Sequence, residues 1–309
     1  MNEVNETGTP RCASCGIAEN DEVKLKNCNG CYLVKYCGIN CQKAHRKQHK
    51  RECKKRAAEL RDELLFKRPE SSHLGDCPIC CLPLPLDLTK SAMMGCCSKI
   101  VCEGCALANA EREHELGLDQ KCPFCRKPSF ITYEEYYKRL MKRVQMNDPD
   151  AIYQKGVKEY DKGDSRSAFE YFTKAAELGN IGAHFRLGNM FVFGLGVEKD
   201  EKKIIHHLET AAIGGHPAAR CSLGIEEWNR GNIERAVKHW IISATQGDND
   251  AIKELMDAFK DGVVEKEVLA ATLRAHKAAV DATKSPQREE AEKDDRIRTW
   301  SELSKRFQN

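Results

Sequence analysis

Sixteen of the seventeen cysteines precede Arg126, and most fall in C-x-x-C or C-x-x-x-C pairs. The pairs are Cys12/Cys15, Cys28/Cys31, Cys37/Cys41, Cys77/Cys80, Cys102/Cys105 and Cys122/Cys125, with His49/Cys53 closing a first block and adjacent Cys96/Cys97 inside a second. A loop of two or three residues brings two thiolates to one tetrahedral ion, so the spacing points to zinc held by two compact modules. The 309-residue chain therefore divides into a metal-rich front and a back half whose only cysteine is Cys221. Neither front module is long enough to bury a large apolar core.

Disulfides are the competing account of so many cysteines. The stretch from Met1 to Pro10 is polar and lacks a basic segment followed by an apolar one, which predicts no secretory signal and a reducing, intracellular setting, cytoplasmic or nuclear. No apolar run is long enough for a bilayer, so no membrane partner is expected. The formal charge of +3 counts cysteines as neutral. Fifteen thiolates carry −15 and four zinc ions +8, a net −7 that takes the balance to −4. Bulk basicity then gives no argument for nucleic acid. The local run Lys43, Arg46, Lys47, Lys50, Arg51, Lys54, Lys55 and Arg56 reads as a solvated helix face offsetting the anionic clusters, with phosphate contact as the alternative.

From Cys12 to Cys53 the order C-x2-C, C-x2-C, C-x3-C, H-x3-C resembles the MYND zinc finger at all eight ligand positions. The resemblance implies interleaved ligands, with Cys12, Cys15, Cys37 and Cys41 on one zinc and Cys28, Cys31, His49 and Cys53 on the other. His45, one helical turn before His49 on an expected helix from Asn40 to Lys54, competes for the metal by position, and the family spacing favours His49. Tyr32, Leu33, Val34 and Tyr36 are expected to form a short apolar strand. By resemblance that strand belongs to a surface that captures short proline-containing peptides; otherwise it is minimal core.

The second block, Cys77-Pro78-Ile79-Cys80, Cys96-Cys97, Cys102-Glu103-Gly104-Cys105 and Cys122-Pro123-Phe124-Cys125-Arg126, resembles a RING finger. The histidine usual at the fourth ligand is replaced by Lys99, which cannot serve. An all-cysteine variant restores the count: Cys77, Cys80, Cys102 and Cys105 on one zinc, Cys96, Cys97, Cys122 and Cys125 on the other, with His114 or Cys81 as substitutes for one of the adjacent pair. In ligase RINGs an apolar residue between the first two ligands and a basic residue after the last contact the ubiquitin-conjugating enzyme; Ile79 and Arg126 fill those places. The bland reading is a buried loop residue and an ordinary surface arginine. Leu82-Pro83-Leu84-Pro85-Leu86 reads as a rigid apolar loop rather than a mimic of a MYND ligand.

Beyond the second block, Tyr136, Tyr137, Leu140, Met141 and Val144 lie at helical spacing within Tyr133 to Gln145, predicting a connecting helix. A repeat follows. Ala151, Gly156, Ala168, Phe172, Ala176 and Gly179 recur as Ala219, Gly224, Ala236, Trp240, Ala244 and Gly247 at identical spacing. A middle copy has Ala183, Gly188, Ile204, Leu208, Ala212 and Gly215, with four extra residues around Gly194-Leu195-Gly196-Val197. The A-A-x-x-G and G-x-G-V-x-x-D signatures resemble the Sel-one-like repeat, a relative of the tetratricopeptide repeat, which implies stacked antiparallel helix pairs with Phe172, Leu208 and Trp240 as core. A degraded fourth unit starts at Ala251, and Arg288 to Phe307 reads as a polar cap docked by Ile297 and Trp300.

The expected fold is two small cross-braced zinc-finger modules followed by an all-α solenoid of helix-pair repeats. The boundaries are a MYND-type finger over 12–53, a basic helical linker over 54–76, a RING-type finger over 77–126, a connecting helix over 127–147, a solenoid over 148–283 and a capping helix over 286–307. No nucleotide-binding loop or nucleophile and base pair is present, so any catalysis is borrowed from a partner. The expected function is a zinc-dependent adaptor acting as a RING-type ubiquitin ligase, in which the RING engages a conjugating enzyme while the MYND finger and repeats select the substrate; a binding-only scaffold is the alternative. A MYND-bearing methyltransferase is disfavoured because repeats occupy the remainder of the chain.

Overall fold

The computed structural model describes residues 9–128 and 132–294, which divide into a unit ending at Lys67 and a unit beginning at Arg68. In the first unit, β1 (Lys26–Asn27) pairs antiparallel with β2 (Lys35–Tyr36), Lys26 opposite Tyr36, and α1 spans Ile39–Leu65. The core is little more than the sulfurs of Cys12, Cys28 and Cys31 packed with Leu25, Val34 and Tyr36. That is too little apolar surface for stability without metal. The strand expected over Tyr32 to Tyr36 is shorter than the apolar run. Tyr32 adopts a left-handed backbone (φ 58°) in the turn closed by Cys28, with its ring exposed, and regular pairing begins at Lys35. The helix expected to stop near Lys54 continues to Leu65, because nothing from Cys53 to Arg68 breaks it before Pro69.

In the second unit, residues 68–76 are not helical, so the linker is helical only in its first part. The segment instead straps onto the repeats. Arg68 donates to the Thr245 carbonyl (3.4 Å), the His73 N–H donates to the Gly215 carbonyl (3.0 Å), and the His73 ring stacks on His216 at 4.0 Å. The second cysteine module follows: a hairpin of β3 (Ser91–Met94) and β4 (Lys99–Cys102), then α2 (Glu103–Glu115). The connecting helix α3 (Tyr133–Gln145) begins at an N-cap on Thr132, whose side chain accepts from the Glu135 N–H. It buries Leu140 and Val144 against Ile152, Phe172 and Leu187, and Met93 of β3 joins the same cluster.

The repeats are antiparallel pairs: α4 (Pro149–Asp161) with α5 (Ser165–Glu177), α6 (Ile181–Phe193) with α7 (Glu201–Ile213), and α8 (Pro217–Asn229) with α9 (Ile233–Ala244). A fourth pair, α10 (Asn249–Lys260) and α11 (Lys266–Ala282), completes the stack, and α12 (Pro286–Lys293) follows. Asp148, Asp164, Asn180, Asp200 and Asp248 each accept a backbone N–H at a helix start, which is why a short polar residue recurs at these turns. Phe172, Leu208 and Trp240 are buried, and the repeat glycines exist to receive them. A Cβ at Gly156, Gly188 or Gly224 would lie 2.8 Å from the Phe172 ring, 2.7 Å from Leu208 Cδ2 and 2.3 Å from Trp240 Nε1. The four-residue insertion of the middle copy turns its Gly196 so that a Cβ there would lie 3.0 Å from the Ser165 backbone, and packs half-buried Leu195 and Val197 against the core.

The described part of the expected cap, α12, lies on α2 of the second cysteine module. Ile297 and Trp300 fall outside the described residues.

Candidate metal centres

Among the described residues four groups of four side chains converge, their ligand atoms all within 4.8 Å of one another: Cys12, Cys15, Cys37 and Cys41; Cys28, Cys31, His49 and Cys53; Cys77, Cys80, Cys102 and Cys105; Cys96, Cys97, Cys122 and Cys125. Each group takes one pair from an early turn and one from a later element, so the two sites of each module interlock. Closest sulfur approaches run from 3.3 Å (Cys125 to Cys96) to 3.8 Å (Cys28 to Cys53, Cys80 to Cys102), and Cys31 Sγ lies 3.1 Å from His49 Nε2. Thiolates about 2.3 Å from a tetrahedral ion sit about 3.8 Å apart, whereas a disulfide holds its sulfurs at about 2.0 Å. Three of the donor sets consist of four thiolates and the other of three thiolates and an imidazole, so together they fit four structural zinc ions.

In each group one sulfur, that of Cys12, Cys28, Cys77 or Cys125, is prepared for the charged state by backbone N–H groups. Burial alone would push the Cys12 thiol up, but N–H groups of Cys15, Cys37 and Ser14 aimed at its sulfur bring it down to about 6. Burial likewise opposes ionisation of Cys77, and N–H groups of Cys102, Cys80 and Ile79 bring it to about 6. Tyr36 carries the reverse effect: burial first, then the negative charge of Cys28, Cys31 and Cys53, raises its phenol to about 12 and keeps it a neutral donor. Its oxygen pairs with His45 Nδ1 at 3.1 Å, and the His45 ring stacks on His49 at 5.8 Å. His45 thus stands outside the ligand group, bracing the ring that enters it.

Adjacent Cys96 and Cys97 join one donor group because they sit at the tip of the β3–β4 hairpin. The N–H groups of Cys97 and Ser98 both donate to the Met94 carbonyl, and Ser98 takes a left-handed φ of 57°. Lys99 is exposed on β4, while Cys81 and His114 lie outside the four groups. Leu84 is buried within the module, which makes Leu82 to Leu86 internal scaffold.

Ile79, between Cys77 and Cys80, is 42% exposed. Arg126 follows the last cysteine with φ 57°, and its guanidinium reaches Glu113 Oε1 at 3.3 Å. Glu113 is buried on α2 and also accepts from the Lys121 N–H (2.8 Å) and the Asn109 amide (3.3 Å), so it fixes the loop that presents Arg126.

A functional residue that the reading of motifs missed is Arg288. It is buried on α12 and donates to the carbonyls of Pro83 (2.7 Å), Leu82 (3.2 Å) and Thr283 (2.6 Å) and to Cys80 Sγ (3.3 Å). A positive fork on one sulfur of a four-cysteine group tempers the excess negative charge that four thiolates would carry. Nearby, Lys90 pairs with Glu292 at 2.7 Å, and α12 comes so close that a Cβ at Gly104 would lie 2.8 Å from the Gln287 carbonyl. No local pattern near Arg288 announces this, since its partners in the module stand more than 200 residues earlier.

Comparison with known families bears on the first module and on the repeats. Residues 12–53 match the MYND finger, and residues 151–180, 181–216 and 223–248 match the Sel1 repeat. A comparison with curated proteins finds no match. Among solved structures, the Sel1 repeat protein from Oxalobacter formigenes is similar at 21% identity, covering 57% of this chain and 71% of that one with a TM-score of 0.41. The c5321 protein, a protective antigen of uropathogenic Escherichia coli strains with an SLR fold, is similar at 23% identity, covering 52% of this chain and 36% of its own, with a TM-score of 0.39. A MYND finger and Sel1 repeats define a zinc-binding adaptor for protein interactions. Among the described residues no helix is long and apolar enough to cross a membrane.

Proposed function

We propose that the second cysteine module acts as an all-cysteine RING-type finger that recruits a ubiquitin-conjugating enzyme, while the MYND finger and the repeats hold the protein to be modified. The observation that carries this reading is that Ile79, between the first two cysteines of the module, and Arg126, after its last, are both exposed. Ile79 offers an apolar anchor whose burial in a complex contributes about 1–2 kcal/mol. Arg126 keeps 58% of its side chain exposed while Glu113 holds one nitrogen, leaving other donors to orient a bound thioester. Catalysis of this kind is positional: the chain supplies no nucleophile and restricts the conformations of a partner's. The exposed Tyr32 ring of the MYND finger supplies a platform suited to the rigid, extended backbone of a proline-containing peptide.

The test is a reconstituted ubiquitylation assay with a panel of conjugating enzymes. Wild type builds chains with at least one of them. Ile79→Ala weakens capture about tenfold and Arg126→Ala slows transfer with capture retained, both variants keeping the wild-type zinc content. Absence of chain formation with every enzyme, or full activity in both variants, replaces the ligase reading with a binding-only scaffold. The Arg126–Glu113 pair is the observation that favours that second reading, since it already satisfies part of the guanidinium.

A further inference from the structure

The middle repeat differs from its neighbours in one chemical respect. At the positions of His184, His206 and His207 the first repeat has Ile152, Glu170 and Tyr171, and the third has Arg220, Lys238 and His239. Of the three, the middle unit alone faces imidazoles from both of its helices. His184 on α6 and His207 on α7 point their Nδ1 atoms at each other, 3.0 Å apart. The exposed His206 ring lies 5.2 Å from that of His207 and 6.4 Å from that of His184, centre to centre.

We propose that His184, His207 and His206 form a fifth metal site, for a divalent transition ion such as zinc, between the helices of the middle repeat. Two nitrogens about 2.1 Å from one ion stand about 3.0 Å apart at a right angle and about 3.4 Å apart at the tetrahedral angle, so the observed Nδ1 separation is a chelate bite. Facing nitrogens in a hydrogen-bonded pair require one to carry the proton. A metal removes that requirement and takes both lone pairs. The His184 ring is oriented for this, with Nδ1 turned to His207 and the Ala176 backbone beside the ring. His207 is fixed from behind by Phe191, stacked in parallel at 5.8 Å. Burial favours the neutral, ligating form of both rings. His206, exposed on the rim, closes the site by a side-chain rotation, leaving a further position open to solvent. The groups that act on His207 are His184, His206 and Lys203, with no carboxylate among them. A donor set of neutral imidazoles selects zinc, nickel or copper and excludes magnesium and calcium, which need oxygen ligands.

The experiment is a zinc titration of the full chain already carrying its four structural ions, read by elemental analysis after equilibration and by the imidazole resonances of the wild-type protein. The expected result is a fifth equivalent, with shifts at His184 and His207 on zinc and none on magnesium. His184→Ile and His207→Tyr put the first repeat's residues at those places, so the helix pair has a precedent for accommodating them. Each is expected to hold four equivalents and to lose affinity for the fifth by about 100-fold, whereas His206→Ala loses about tenfold. A total that stays at four in wild type overturns the site. So does a fifth equivalent that survives both His184→Ile and His207→Tyr, or that His45→Ala removes instead. If either variant fails to fold, the wild-type resonances decide: unperturbed His184 and His207 at saturating zinc refute the proposal.

Discussion

Replacing Gly224 with alanine tests the close crossing of helices on which the repeats depend. Alanine is the better helix former by about 1 kcal/mol, so propensity alone predicts a more stable protein. The structure predicts the opposite. A Cβ at position 224 would stand 2.3 Å from Trp240 Nε1, 2.5 Å from Cδ1 and 3.0 Å from Cε2. The indole cannot step aside: it is 2% exposed and packs on Trp228 at 5.3 Å, with Leu255 and Ala258 in the same cluster. Forcing a methyl into a filled core costs about 2–3 kcal/mol, which leaves a net loss of about 1–2 kcal/mol after the propensity gain. The measurement is denaturant unfolding of zinc-saturated protein followed by helical circular dichroism. The same substitution is then made in a Trp240→Leu background, which reproduces the Gly188 and Leu208 pairing of the middle repeat. There a flexible side chain yields, and Gly224→Ala is expected to be neutral or stabilising, a coupling of about 1–2 kcal/mol. An increase in stability in the wild-type background, or an equal loss in both, refutes the argument.

Two further outcomes follow from polar groups in the second unit. Arg288→Ala strips a donor from the carbonyls of Pro83, Leu82 and Thr283, and at about 1 kcal/mol for each orphaned group α12 loses about 3 kcal/mol of docking energy. Hydrogen exchange should show the α12 amides about 100-fold less protected, and unchanged protection would remove Arg288 from its assigned role. The strap at His73 makes stability depend on pH. Burial lowers the His73 pKa from its ordinary 6.5 to about 4, against the opposing Gly215 backbone hydrogen bond. Burial first, then the charges of His73 and Arg186, lower the His216 pKa as well. Because the folded pKa lies below the unfolded one, the contribution of His73 is complete above about pH 6.5 and is lost as pH falls toward 4, amounting to about 2 kcal/mol by pH 5. Unfolding free energies at pH 7, 6 and 5 should fall less steeply in His73→Phe than in wild type; parallel slopes would show that the ring is not titrating in the strap.

The legible parts of this chain are those whose physics is local. A metal needs its donors in tight turns, so Cys12/Cys15 or Cys122/Cys125 announce a site within four residues. A repeat needs small residues where helices cross and a left-handed glycine where they end, so Gly224 and Gly247 recur at fixed offsets (φ 93° at Gly247). The illegible parts join residues far apart. Nothing around His73 states that Gly215 will accept its N–H, and nothing around Arg288 states that Leu82 and Pro83 will meet its guanidinium. The shortened strand at Tyr32 was hidden for another reason: an apolar run reads as a strand unless a turn closes within it, and the turn here is made by the Cys28 carbonyl accepting the N–H groups of Cys31 and Tyr32.

The contact between Arg288 and the second cysteine module also sets an order of events during synthesis. Cys77, Cys80, Cys102 and Cys105 leave the ribosome long before Arg288, which follows Cys80 by 208 positions. At about 5–20 residues per second that interval is about 10–40 s. The module therefore first gathers its ligands as a nascent segment without the guanidinium on Cys80 and with the Leu82 and Pro83 carbonyls open to water. Only after the last helix pair is made can α12 arrive and close them. This last described helix acts as a late latch, and a chain truncated before Pro286 carries every zinc ligand and every repeat while leaving that latch permanently open.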